Sequence, residues 1–168
     1  MFVVPRFQRR YDWRLDRWQP FWDDIVNEHR SPHGTDPQGV EGHFLGSIVL
    51  HPAPGPASTL MQHLVIDGQQ RLTTIMVLLA ALRDVRASMD PLWDPKSIDD
   101  QYLRNPYAKS PLEQERLLPT EPDRKAYVAT VRDGHPTAGV GEAYEYFNKQ
   151  IRELAREKDF SFESFEKT

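Results

Sequence analysis

Cysteine is missing from the 168 residues, and its absence excludes disulfides, thiolate metal sites and cysteine nucleophiles together. Long apolar runs are missing as well, and none approaches the roughly 20 residues that a bilayer-spanning helix needs. Residues 1–10 carry charge where a secretory signal needs an apolar stretch, so a cytoplasmic protein is expected. Positive charge is not in excess. With 21 Lys and Arg against 25 Asp and Glu the net charge is −4, so any contact with nucleic acid must come from a local basic patch. The six histidines (His29, His33, His43, His51, His63 and His135) are scattered and make no metal-ligand cluster. Neither common nucleotide fingerprint, G-x-x-x-x-G-K-S/T or G-x-G-x-x-G, occurs.

What is present is globular in composition, 39% hydrophobic and 27% charged, at a length that suits one ordinary domain with a core. Both ends read as cut. Met1-Phe2-Val3-Val4-Pro5 begins in a strand pattern and Phe160 to Phe165 stops within an aromatic one, so a longer protein is expected.

Trp18, Phe21, Trp22, Ile25 and Val26 follow helical spacing over about three turns, with Asp16 as the predicted N-cap. Residues 33–42 read as a loop. Phe44 to Leu50 is a strand candidate, broken by the prolines from Pro52 to Pro56. Leu64-Val65-Ile66 predicts a buried strand, and Leu72, Ile75, Met76, Leu79 and Leu82 predict a central helix running to about Ala87. Four prolines between Met89 and Pro111 suggest irregular structure. Leu117-Leu118 is a short strand candidate. Thr120 is positioned to cap a helix through Tyr127, Val128 and Val131 that ends at Gly134. Val140, Tyr144, Phe147, Ile151 and Leu154 form the stripe of a last helix. Short strands early and helices later make an α+β domain with more helix than sheet.

The chemistry-bearing segment is Asp67-Gly68-Gln69-Gln70-Arg71, where a buried strand feeds directly into a buried helix. Such a junction presents the free N–H groups of the first turn and the positive end of the helix dipole, which together suit an anion. Gly68 lets an oxygen approach the backbone, and Arg71 can grip a phosphate through two donors. Gln69 and Gln70 can orient a phosphate, a base edge or an attacking water. Asp67 can hold a magnesium-bound water or fix Arg71. Thr73 and Thr74 add hydroxyls on the same first turns. The plainer alternative is an ordinary Asp-Gly turn before a solvated helix end.

A second constellation lies at the N-terminus. Arg6, Arg9, Arg10 and Arg14 are interleaved with Phe7, Tyr11 and Trp13. Arginines and aromatics together can pair phosphates and stack bases. Equally, the three aromatics can pack on the core while the arginines stay in water.

These pieces together resemble one family: the N-terminal domain of GmrSD-type restriction endonucleases and SspE-like phage-defence proteins, with a ParB- and sulfiredoxin-like core. The resemblance rests on Val4-Pro5-x-Phe7-Gln8-Arg9-x-Tyr11-x-Trp13, Trp18-x-x-Phe21-Trp22-x-Asp24-Ile25, Phe44-Leu45-Gly46-Ser47-Ile48-Val49-Leu50 and Val65 to Ile75. It is dense from Phe2 to Leu82 and looser through Leu117 to Thr120 and Ala143 to Phe147. It implies a small mixed sheet carrying a strand-turn-helix phosphate site over residues 1–88, followed by a helical extension over 89–168. It further implies nucleoside-triphosphate binding and hydrolysis, of GTP or ATP with Mg2+, at the Asp-Gly-Gln-Gln-Arg box. Asp67, Gln69, Gln70 and Arg71 would then be catalytic, with Asp67 the metal ligand. Gly68, Arg71, Thr73, Thr74 and Ser47 would hold the nucleotide, and Gln8, Arg9, Arg10, Tyr11 and Trp13 would meet DNA.

Two functions from different classes follow. One is an NTPase regulatory domain acting on an HNH-type nuclease further along the chain, in defence against phage DNA carrying chemical modifications. The other is a sensor that binds modified DNA without catalysis. A third, that the domain is itself a ParB-like nuclease, has no carboxylate or histidine cluster to support it.

Overall fold

The computed structural model describes residues 1–30, 44–53, 61–137 and 139–168, and shows an α+β arrangement around a mixed four-stranded sheet. Strand β1 (Phe2–Val3) opens the chain, and a turn closed by Gln8 N–H on the Pro5 carbonyl leads toward helix α1 (Leu15–Arg30). The predicted stripe holds: Trp18, Phe21, Trp22 and Val26 are buried. The helix starts one residue before Asp16, with the N–H groups of Arg17 and Trp18 returning to the Arg14 carbonyl. Asp16 therefore sits inside the first turn, where its charge suits the helix dipole, and is not the cap.

Strand β2 (Val49–Pro52) runs antiparallel to β3 (His63–Asp67). The strand expected over 44–50 is displaced, because Gly46 takes φ +100°, a conformation outside the strand region. The ladder begins only at Val49 and includes Pro52, which is tolerated because β2 is an edge strand. The expected loop at 33–42 and the prolines Pro54 and Pro56 lie outside the described residues.

Helix α2 (Gln69–Met89) follows β3 after one residue and is buried on most sides, with Val77, Ala80, Ala81 and Val85 sealed completely. The proline-bearing stretch after it holds a single helical turn, α3 (Lys96–Ile98), running into a wide π-type turn over Asp99–Leu103. That stretch plants Ile98 and Leu103 in the core. Strand β4 (Leu117–Leu118) then pairs parallel with β1, which also pairs parallel with β3, giving the order β2-β3-β1-β4. Sheet and core thus draw on both halves of the chain.

Helix α4 (Glu121–Val131) starts after Thr120 as expected, but the Thr120 hydroxyl donates to Asp123 at 2.7 Å and caps no backbone N–H. Helix α5 (Val140–Leu154) buries its whole predicted stripe and packs on α2, α4 and α1. Phe147 is the hub: its ring meets Phe21, Trp22 and Tyr146 at centroid distances of 6.3, 6.3 and 5.2 Å. The final aromatic segment forms a short helix, α6 (Phe162–Phe165), which sets Phe165 against Trp22. Arg86 of α2 fastens it through ion pairs to Glu163 and Glu166. No helix among the described residues is long and apolar enough to cross a membrane.

Candidate functional site

The turn between β3 and α2 is shaped by two glycines. Gly68 adopts φ +86°, and a Cβ there would lie 3.1 Å from both Ile48 Cγ1 and the Ser47 carbonyl oxygen. Left-handed geometry and lack of space both demand glycine. The first helical hydrogen bond of α2 runs from Leu72 N–H to the Gly68 carbonyl at 2.9 Å, so the N–H groups of Gln69, Gln70 and Arg71 have no acceptor within the helix.

Gly46 shapes the other side. The Arg71 guanidinium lies against it so closely that a Cβ would stand 2.6 Å from Arg71 Cζ. Arg71 Nη1 donates to the Ser47 carbonyl at 2.8 Å, which fixes the head group, and its other donors meet no acceptor among the described residues. Among the described residues no carboxylate pairs with Arg71, although the exposed Asp67 lines the same cleft. The Asp67 carboxylate likewise has no partner among those residues. Two opposite charges therefore line one cleft, neither of them ion-paired among the described residues.

The N-terminal arginine segment, which the sequence treats as a separate constellation, is tied to this same box. Gln69 Nε2 donates to the Arg9 carbonyl at 3.0 Å and Gln70 Nε2 to the Arg10 carbonyl at 2.7 Å. Gln70 Oε1 accepts from Asp12 N–H at 3.0 Å, and Gln8 Nε2 donates to the Ile66 carbonyl at 2.9 Å. Both glutamines of the box are buried, 8% and 6% exposed. The tied segments line a cleft of about 350 Å³, to which the first contributes Gln8, Arg9 and Trp13 and the second the stretch from Asp67 to Arg71.

The structure sorts the remaining candidates. Tyr11 belongs to the core: its hydroxyl accepts from Trp18 Nε1 at 2.9 Å and meets Thr74 Oγ1 at 2.8 Å, and burial pushes its pKa up to about 12. Thr74 also donates back to the Gln70 carbonyl at 2.8 Å. Thr73 is buried beside a void of about 10 Å³, room for one water. Ser47 contributes its carbonyl, to Arg71. Arg9 pairs with Asp12 at 3.5 Å in solvent, where such a pair holds its partners only loosely. Arg10 is exposed. Gly46 is the residue that sequence reasoning passed over; its place directly before Ser47, in the Phe-Leu-Gly-Ser run, was the available signal. Among the described residues no group of His, Asp and Glu is assembled to hold a metal ion by itself.

The family model described as the GmrSD restriction endonuclease N-terminal domain matches residues 1–167. None of the curated proteins compared matches the chain.

Proposed function

The chain belongs to the GmrSD restriction endonuclease N-terminal domain family, and on that premise we propose that it is the domain of a modification-dependent restriction protein that binds and hydrolyses a nucleoside triphosphate. As a member of a restriction endonuclease family it is part of a restriction system, directed against phage DNA. Its role there would be regulatory, with nucleotide turnover controlling an HNH-type nuclease domain of the full-length protein.

The observation that carries the reading is the Arg71 guanidinium, without a carboxylate partner among the described residues, braced on the Ser47 carbonyl over Gly46 and lining a cleft with the first turn of α2. Positioning and charge stabilisation are the main demands of phosphoryl transfer, and this arrangement supplies both. Gly68 and the first turn would receive phosphate oxygens, with Arg71 bonding them in charge-assisted fashion. Asp67, exposed and unpartnered among the described residues, would hold Mg2+ jointly with those oxygens. The ion would supply neutralisation of phosphate charge. Gln70 has both ends of its amide engaged, whereas Gln69 Oε1 receives no hydrogen bond among the described residues and is the one of the pair able to meet a ligand. Thr73 and Thr74 would support the first turn from behind.

The second reading, a DNA contact through Gln8, Arg9 and Arg10, is favoured by the exposed Arg9 lining the same cleft and by the exposed Arg10 next to it in the chain. It is compatible with the first, and replacing Arg9 and Arg10 would then flatten the salt dependence of DNA binding. The experiment for the principal reading is phosphate release by the purified chain with each of the four NTPs and Mg2+, with and without modified DNA. Release that disappears in Asp67→Ala and Arg71→Ala is the expected result. Absence of both release and nucleotide binding in the wild type would contradict it.

A further inference from the structure

We propose that Trp13 is the platform on which the base of the nucleotide stacks, so that the cleft recognises a nucleoside and not a bare polyphosphate. This rests on the nucleotide reading above and extends it to the part of the ligand that Arg71 does not touch.

Three observations meet here. Trp13 lines the cleft together with the Asp67–Arg71 turn, and it is half-buried, so one part of its indole is anchored while another remains open. The anchor is Phe21 of α1, edge-on at a centroid distance of 6.2 Å and an interplanar angle of 65°. An aromatic held in this way is a rigid surface, which is what stacking needs if ordering the side chain is not to consume the gain.

Two amide oxygens in the cleft supply the third observation. Gln8 Nε2 and Gln69 Nε2 each donate to a backbone carbonyl, of Ile66 and of Arg9. A carbonyl can be met only by the NH2 end of an amide, so both side chains have their oxygens fixed as the outward acceptors. Among the described residues neither oxygen receives a hydrogen bond, and Gln69 is more than nine-tenths buried. Gln69 Oε1 is not sealed from the cleft, and so stays open to a donor that a ligand brings. Nucleobases carry N–H donors on their pairing edges, whereas a polyphosphate carries none. The cleft volume of about 350 Å³ falls in the range of small-molecule sites.

The test is calorimetric titration of Mg-ATP, Mg-GTP and inorganic magnesium tripolyphosphate into the wild type, Trp13→Ala and Trp13→Phe. Base–aromatic stacking corresponds to a change of about tenfold or more in affinity. The wild type should bind its preferred nucleotide at least about tenfold more tightly than tripolyphosphate. Trp13→Ala should abolish that preference while leaving tripolyphosphate affinity unchanged, and Trp13→Phe should keep most of it. Unchanged tripolyphosphate binding also certifies that the variant is folded. Equal binding of nucleotide and tripolyphosphate by the wild type overturns the proposal and leaves the phosphate site standing. So does a loss in Trp13→Ala that is equal for both ligands, or confined to DNA. If the wild type binds neither, the nucleotide reading itself falls.

Discussion

Gln70 reaches across 60 residues of chain to place its amide N–H on the carbonyl of Arg10 at 2.7 Å. The other end of the same amide takes the N–H of Asp12. A side chain one residue into α2 thereby sets the backbone path of the arginine segment. Gln70→Ala leaves a donor and an acceptor to find water in a half-buried place, at a cost of roughly 1–3 kcal/mol. Urea denaturation should show that loss, and amide exchange should speed up from Arg9 to Asp12. Unchanged exchange there would mean that the segment is held by other contacts.

Gly46 is a second lever on the same site. Alanine at φ +100° strains the backbone by about 1–3 kcal/mol, and its Cβ would displace the Arg71 guanidinium. Gly46→Ala is therefore predicted to weaken nucleotide binding as Arg71→Ala does, although position 46 carries no polar group. Thermal shift with and without Mg-nucleotide is the measurement. A full nucleotide-dependent shift in this variant would show that Arg71 can serve the ligand from another position.

Glu115 gives a pH signature unrelated to the cleft. Both its carboxylate oxygens are buried without a hydrogen-bond partner among the described residues, close to Tyr127, whose hydroxyl is also unpartnered. Burial pushes the carboxyl pKa up, with nearby Asp133 and Asp99 acting in the same direction and Arg104 and Arg132 opposing them. A raised folded-state pKa means that the native chain holds the proton more tightly than the unfolded one. The stability linked to that proton is complete below the ordinary carboxylate range and is lost as pH climbs through the raised value. Glu115→Gln cannot ionise, so it should match the wild type in acid and exceed it at neutral pH in urea unfolding. A variant less stable than wild type at neutral pH would mean that the carboxylate is ionised and supported by Arg104 or Arg132.

The long periodic elements were readable from sequence for a physical reason. In α2 and α5 each turn must bury an apolar side chain, so Leu72 to Leu82 and Val140 to Leu154 repeat the helical period. Leu117-Leu118 and the opening residues were both readable as strands, but their parallel pairing was not, because two residues carry no register. Ile98 and Leu103 enter the core from irregular backbone, where no period exists to detect. The cleft was half legible. The Asp-Gly-Gln-Gln-Arg turn announced itself by residue type and by its place between strand and helix. Its union with the arginine segment depends on side-chain-to-backbone bonds spanning 58 to 60 residues, and a carbonyl accepts the same bond whatever residue it belongs to.

The central claim is that the cleft holds a nucleoside triphosphate through Arg71, and calorimetric titration of Mg-nucleotide into the wild type and Arg71→Ala tests it most directly. Removing one partner of a desolvated charge pair costs roughly 2–5 kcal/mol, so binding should weaken by about thirtyfold or more. Wild-type binding with that loss in a folded variant is the predicted result. Equal affinity in the two proteins, or no binding by the wild type, would contradict it.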